Sequence, residues 1–206
     1  MAEESDLTRG GLAQGPDGRE RCWWGVSTPD YMAYHDDEWG RPVTDDHGIY
    51  ERLTLEAFQS GLSWLTILRK REPFRAAFAG FEIDRVAQFD DADVARLMAD
   101  AGIVRNRLKV AAAITNARAA RAMLAAGESL ADLVWSFRVD RPDAPATAAD
   151  LPATTDGSKA LARELKRRGF AFVGPTTVYS TMQACGVVND HLAGCFVRRE
   201  IERLRR

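Results

Sequence analysis

The stretch CWWGVSTPDYMAYHDDEWGRPVTDDHGIYERLTLEAFQSGLSW, residues 22–64, holds four of the five tryptophans and three of the four tyrosines of the 206-residue chain. Within it, from Asp46 on, Ile49, Leu53, Leu55, Phe58 and Leu62 recur at helical spacing, and the pattern runs to about Leu68 with Asp45 or Asp46 as N-cap. Glu56 sits inside that apolar run. Working outward, the spacing predicts further helices over 70–79, 83–89 and 91–101, the last capped by Asp91. A turn at Gly102 leads into an Ala-rich helix over 106–126 that stops at Gly127. Helices over 129–137, 156–168, 176–185 and 190–206 complete the chain, and Pro142, Pro145 and Pro152 mark a surface loop over 138–152. Two-residue alternation is nearly absent, since Phe170-Ala171-Phe172-Val173 is too short to build a sheet. The fold class is all-α.

Composition narrows the function classes. Hydrophobic residues make up 46% and charged residues 28%, ordinary for a folded domain, and no apolar run approaches the roughly 20 residues of a membrane span. The N-terminus has no basic-then-apolar leader, so a cytoplasmic location is expected. Residues 1–20, rich in Gly and without apolar periodicity, read as a flexible extension. The net charge of −2 gives no global attraction to nucleic acid, and removing residues 1–21 leaves 25 basic against 25 acidic residues. Any nucleic-acid contact must use a local basic face.

Cys22, Cys185 and Cys195 cannot all pair within the chain, which turns attention to metal ligation or buried thiols. His191 and Cys195 are four apart, and Asn189 or Asp190 could cap a helix that projects both from one face. Cys22 and His35 offer a second pair, giving a Cys2His2 set suited to tetrahedral zinc; the plainer alternative is a buried thiol and a stray imidazole. Four protein donors would leave no open position, so such a metal would be structural. Cys185 is then a core thiol and His47 a surface residue. The Gly102 turn followed by Arg105, Arg107 and Lys109 has the features of a phosphate site at a helix start, although an ordinary helical connection with a solvated face explains the same residues. Glu56 is open to two readings as well: a functional carboxylate, or a structural ion pair with Arg69 or Lys70.

Taken together, several motifs resemble the type I 3-methyladenine DNA glycosylases, zinc-containing members of the helix-hairpin-helix glycosylase superfamily. They are Cys22-x-Trp24, Tyr34-His35-Asp36-x-Glu38-Trp39-Gly40, Leu55-Glu56, Gly61-Leu62-Ser63-Trp64, Asp100-Ala101-Gly102-Ile103, Leu133-x-Trp135-Ser136-Phe137, Lys166-x-Arg168-Gly169-Phe170 and Met182-Gln183-Ala184-Cys185-Gly186-x-Val188-Asn189-Asp190-His191. The resemblance implies a two-lobed helical fold over 21–197 with a hairpin around 97–110; the longer N-terminus and a basic helical extension over 198–206 depart from the family. It implies one structural Zn2+ on Cys22, His35, His191 and Cys195, joining the N- and C-terminal segments. It implies a base pocket of Trp24, Tyr31, Tyr34, Trp39, Glu56 and Trp64, in which Glu56 and Tyr34 take part in catalysis. Gly61 and Leu62 fall where the family fills the gap left by a flipped nucleotide, and Gly102, Ile103, Arg105, Arg107 and Lys109 fall on its phosphate-binding hairpin. Trp23 departs from the family, which often has Gly there.

These residue types suit the chemistry. Aromatic faces stack on an extruded base, and a cationic alkylated base is drawn to electron-rich rings. A carboxylate at Glu56 accepts hydrogen bonds from an exocyclic amine and balances positive charge. The expected activity is hydrolytic excision of 3-methyladenine from alkylated double-stranded DNA, with free base as product and no lyase step, by a monomer with no membrane partner. The competing expectation is a zinc-stapled module that binds damaged DNA without turnover.

Overall fold

Residues 10–140 and 143–206 are described in the computed structural model. An antiparallel ribbon of β1 (Leu12–Gln14) and β2 (Glu20–Cys22) leads into a short turn of 3-10 helix, Trp23–Val26. The helices that follow are α1 (Pro29–Asp37), α2 (Asp46–Gln59), α3 (Trp64–Arg69), α4 (Arg71–Ala77), α5 (Ile83–Val86), α6 (Asp91–Ala99) and α7 (Arg107–Ala125). The chain closes with α8 (Leu130–Trp135), α9 (Asp156–Arg167), α10 (Pro175–Ala184) and α11 (Arg198–Leu204). The structure is mostly helical, and no helix among the described residues is long and apolar enough to cross a membrane.

The long helix of the quoted stretch is the centre. Ile49, Tyr50, Leu53, Leu55 and Phe58 are each at most 1% exposed, so α2 is buried around its whole circumference rather than along one stripe. It packs against α3, α7, α8 and α10. A side chain on such a helix has no route to solvent unless a cavity reaches it, which sets the environment of Glu56. Asp45 caps α2, accepting from the Gly48 amide at 2.8 Å. A second, smaller apolar cluster joins Cys22, Leu192, Cys195, Val197 and Ile201, bringing both ends of the described chain together.

The structure departs from the sequence expectations in five places. The helix expected to run to Leu68 breaks after Gln59: Gly61 has φ +81°, which favours glycine, and Ser63 caps a new helix by accepting from the Thr66 amide. Leu62 had extended the apolar period, but it is 42% exposed on the intervening loop. Pro29–Asp37 is a helix with Thr28 as N-cap and Pro at its first position, and its mixed aromatic and acidic residues show no apolar stripe. Asp90, not Asp91, caps α6, in a capping box with Asp93.

At the N-terminus, residues 1–9 of the expected extension lie outside the described residues, whereas 12–14 and 20–22 pair in the ribbon. Arg21, 2% exposed, binds Asp17 and Asp36 and ties this ribbon to α1. At the other end, residues 190–197 are not helical. The Leu192 amide donates to Cys22 Sγ, that of Ala193 to the Pro145 carbonyl and that of Phe196 to the Glu20 carbonyl, so these donors are unavailable for a helical ladder. The helix begins only at Arg198, and Ile201 and Arg205 are buried, with Arg205 donating to the Gly186, Val187 and Val139 carbonyls.

Candidate active site and metal centre

A cavity of about 290 Å³ opens at the end of α2. The 3-10 turn contributes Trp23 and Trp24, α1 contributes Tyr31 and Tyr34, and Trp39 follows α1; α2 contributes Glu56 and Gln59, and Trp64 begins α3. All six aromatic and acidic residues singled out from sequence therefore line one space. Trp24 meets Tyr31 and Trp39 edge-on at 5.7 and 5.1 Å between ring centroids, and Tyr34 lies 5.3 Å from Trp64 at a tilt of 45°. The Tyr31 hydroxyl accepts from the Leu65 amide at 3.0 Å, fixing the start of α3 to α1. Leu151, Ser180 and Gln183 also face the cavity, and sequence reasoning assigned none of them a site role, nor Trp23 or Gln59. Helical spacing could have found three: Gln59 is one turn beyond Glu56, and Ser180 and Gln183 are three apart on α10. Leu151 follows a proline-rich loop and carries no such signal.

Glu56 is 6% exposed, and among the described residues its carboxylate has neither a hydrogen-bond partner nor an ion pair. Burial pushes its pKa up to about 8, and the positive charge of Arg52 only partly offsets this. The neighbouring acids are in the opposite condition. Glu38 is held below its usual range despite burial because it bonds Arg71 and faces Arg52, and Glu51 pairs with Arg75 at 2.8 Å. The structural ion pair considered for Glu56 does not form, since Arg69 binds Asp30 at 2.8 Å and Lys70 donates to the Ala101 and Gly102 carbonyls. The Tyr34 hydroxyl is held neutral by burial first and by the adjacent Glu56 charge second.

Behind the aromatic wall, Cys22, His35, His191 and Cys195 are all buried, and one donor atom from each lies within 4.8 Å of every other. Cys195 Sγ is 3.4 Å from His35 Nε2 and 3.6 Å from His191 Nδ1, and Cys22 Sγ is 3.8 Å from His191 Nδ1. A tetrahedron with metal–sulfur and metal–nitrogen bonds of ordinary length has edges of about 3.3–3.8 Å, and these three separations match it. The remaining ring nitrogens are held in place: His35 Nδ1 meets Asp36 Oδ1 at 2.8 Å, and His191 Nε2 donates to the Trp39 carbonyl at 3.0 Å. The cluster could hold a metal ion. Trp24 packs on His35 at 5.0 Å and Trp39 on His191 at 4.6 Å, so the ligands also support the cavity wall.

A family model described as methyladenine glycosylase matches residues 24–199. The chain belongs to the methyladenine glycosylase family. DNA-3-methyladenine glycosylase 1 of Escherichia coli is 50% identical over 178 residues, covering 85% of this chain and 95% of that protein. The Haemophilus influenzae DNA-3-methyladenine glycosylase is 42% identical, with 85% and 96% covered. A crystal structure of 3-methyladenine DNA glycosylase I matches with a TM-score of 0.82 at 51% identity, covering 85% of this chain and 98% of that one. A Staphylococcus aureus structure described as showing the basis of 3-methyladenine recognition matches with a TM-score of 0.78 at 37% identity, covering 84% and 94%.

In this methyladenine glycosylase the candidate DNA-contacting residues separate into two groups. Gly61 and Leu62 are exposed and lie in sequence between the cavity-lining residues Gln59 and Trp64, and Arg105 and Arg107 are exposed at the start of α7. Asn106 caps α7 by accepting from the Leu108 and Lys109 amides, and Gly102 N–H donates to Asp100 Oδ1 at 2.7 Å. The Ile103 side chain is buried in the main core. Lys109 departs from expectation: it is 7% exposed, and its ammonium donates to the Phe58 and Ser60 carbonyls at the end of α2. It cannot also reach a phosphate. Two lysines thus fasten the turn and the loop to each other's neighbourhoods, Lys70 on the 101–102 carbonyls and Lys109 on those of 58 and 60.

Proposed function

We infer that the protein excises 3-methyladenine from alkylated DNA by hydrolysing the N-glycosidic bond. The observation that carries this reading is Glu56, a buried carboxylate with no partner among the described residues, lining a cavity walled by Trp24, Tyr31, Tyr34, Trp39 and Trp64. Such a cavity suits a flat ligand with positive charge and an N–H donor. Alkylation at N3 makes adenine in DNA that ligand, because the nucleoside carries the positive charge and the 6-amine supplies donors. Flipping costs a few kcal/mol, less for a poorly paired base, and stacking returns roughly 1–3 kcal/mol per aromatic contact.

The positively charged base is also a good leaving group. When the C1′–N9 bond breaks, its electron pair stays on N9 and 3-methyladenine departs neutral; water oxygen bonds to C1′ and releases a proton to solvent, leaving an abasic site. Glu56 reads the amine and balances charge on the flipped base, with Tyr34 beside it. No lysine lines the cavity among the described residues, which supports a monofunctional glycosylase without lyase chemistry.

We propose further that the fold is the two-lobed helix-hairpin-helix arrangement, with the α6–α7 turn at Gly102 grasping the DNA backbone through the Ile103 amide and the exposed Arg105 and Arg107, while the Gly102 amide shapes the turn by donating to Asp100. Leu62, beside Gly61, fills the space left by the extruded nucleotide. Zinc suits the two-thiolate, two-imidazole donor set better than a hard cation. Cys22, His35, His191 and Cys195 would hold it as a structural ion, since four buried protein donors complete its coordination. The protein would act as a cytoplasmic monomer. The deciding experiment is incubation with methylated duplex DNA and separation of the released bases: the reading predicts free 3-methyladenine. Retention of damaged DNA with no released base would favour a binding module without turnover.

A further inference from the structure

The cavity contains a second polar group whose orientation is determined by the protein. Gln183, on α10, lines the cavity with Glu56, and its Nε2 donates to Asp190 Oδ2 at 2.9 Å. Asp190 is 1% exposed and also accepts, on the same oxygen, from the Tyr179 hydroxyl. A carboxylate oxygen accepts hydrogen bonds, so it takes the amino end of the Gln183 amide and turns the carbonyl end away. Gln183 Oε1 has no protein partner among the described residues. With Nε2 engaged by Asp190, the acceptor that Gln183 leaves unused among the described residues is its carbonyl, on a residue that lines the cavity together with the Glu56 carboxylate.

We propose that Gln183, locked by Asp190 and Tyr179, is a specificity-determining residue that selects 6-aminopurines over 6-oxopurines. This rests on the reading of the cavity as a base pocket. An amine has two N–H donors and can serve both acceptors, whereas the oxygen of 3-methylguanine or 7-methylguanine has none and meets two acceptors. Sites that depend on a hydrogen bond from the ligand discriminate strongly against an analogue without the donor, because the buried acceptors are left unpaired. An unlocked amide could rotate and offer its NH2 to the oxygen. Asp190 and Tyr179 are positioning residues in this account, acting on the base only through Gln183.

The test measures kcat/KM for release of 3-methyladenine and of 3-methylguanine from methylated DNA, taking their ratio. Gln183→Leu removes the acceptor and is expected to lower the ratio by about tenfold or more. Asp190→Asn leaves Gln183 in place but frees its orientation, and is expected to lower the ratio while 3-methyladenine release persists; metal content is measured alongside because His191 is adjacent. Equal losses on both substrates, with the ratio unchanged in both variants, would overturn the proposal and indicate a merely structural Gln183. Absence of any base release by the unaltered protein would instead overturn the underlying assignment of the pocket.

Discussion

At the scale of single residues, the chemistry turns on the contrast between Glu56 and the acids around it. Glu38 and Glu51 are matched by arginines, while Glu56 is buried without a partner among the described residues and its pKa is raised to about 8 from an ordinary 4.5. The folded state therefore holds a proton that the unfolded chain would lose, so the contribution of Glu56 to stability is greatest below pH 4.5 and declines as pH rises toward 8. Replacing Glu56 with Gln removes this cost, and thermal unfolding at pH 8 should show the variant more stable, by about 4 kcal/mol. Activity runs the other way. A cationic base is bound best by the ionised carboxylate, so kcat/KM should climb with pH through about 8, while kcat, reporting a complex in which the cation lowers the Glu56 pKa, should level off at lower pH. A pH–rate profile without any such limb would count against Glu56 as the charge partner.

At the scale of elements, the hairpin and the loop after α2 are joined by lysines. The account predicts that Lys109→Met lowers stability by about 1–3 kcal/mol, because the Phe58 and Ser60 carbonyls lose their donor. It should leave the salt dependence of DNA binding unchanged, whereas Arg107→Ala should reduce the slope of log affinity against log salt by about one. Binding titrations across a salt series distinguish them. Lys109 also shows where sequence reading ends: three cations after a turn looked alike, and only packing revealed that one points inward. The helix positions of α2, α7 and α9 were legible because spacing and caps agree there. The break at Gly61 was not, because Leu62 continued the apolar pattern while facing solvent. The segment 190–197 differs for a related reason: four-residue spacing of His191 and Cys195 suggests a helix, but backbone partners outside the segment hold it as an irregular turn that brings the same two side chains together.

At the scale of the whole molecule, the chain closes on itself through the Cys22, His35, His191 and Cys195 cluster, whose imidazoles support Trp24 and Trp39. The site residues at 22, 35, 191 and 195 were readable by residue type, and the aromatic wall by its density. The contribution of α10 was not, because Ser180 and Gln183 come from a distant part of the chain and look like ordinary helix residues. If a metal joins these segments, Cys195→Ala should lose bound zinc and thermal stability together, measured by elemental analysis and melting of the same sample. Retained zinc at full occupancy with an unchanged melting temperature would contradict the ligand assignment.

The measurement closest to the central claim compares single-turnover release of 3-methyladenine from methylated duplex DNA by the unaltered protein and by Glu56→Gln. If the partnerless carboxylate of α2 recognises the cationic base and balances its charge, the variant should fold and retain DNA binding. Its release rate should fall by about 10²–10³, the scale for losing a preorganised electrostatic contact. Release at the unaltered rate by a folded Glu56→Gln protein would contradict the account.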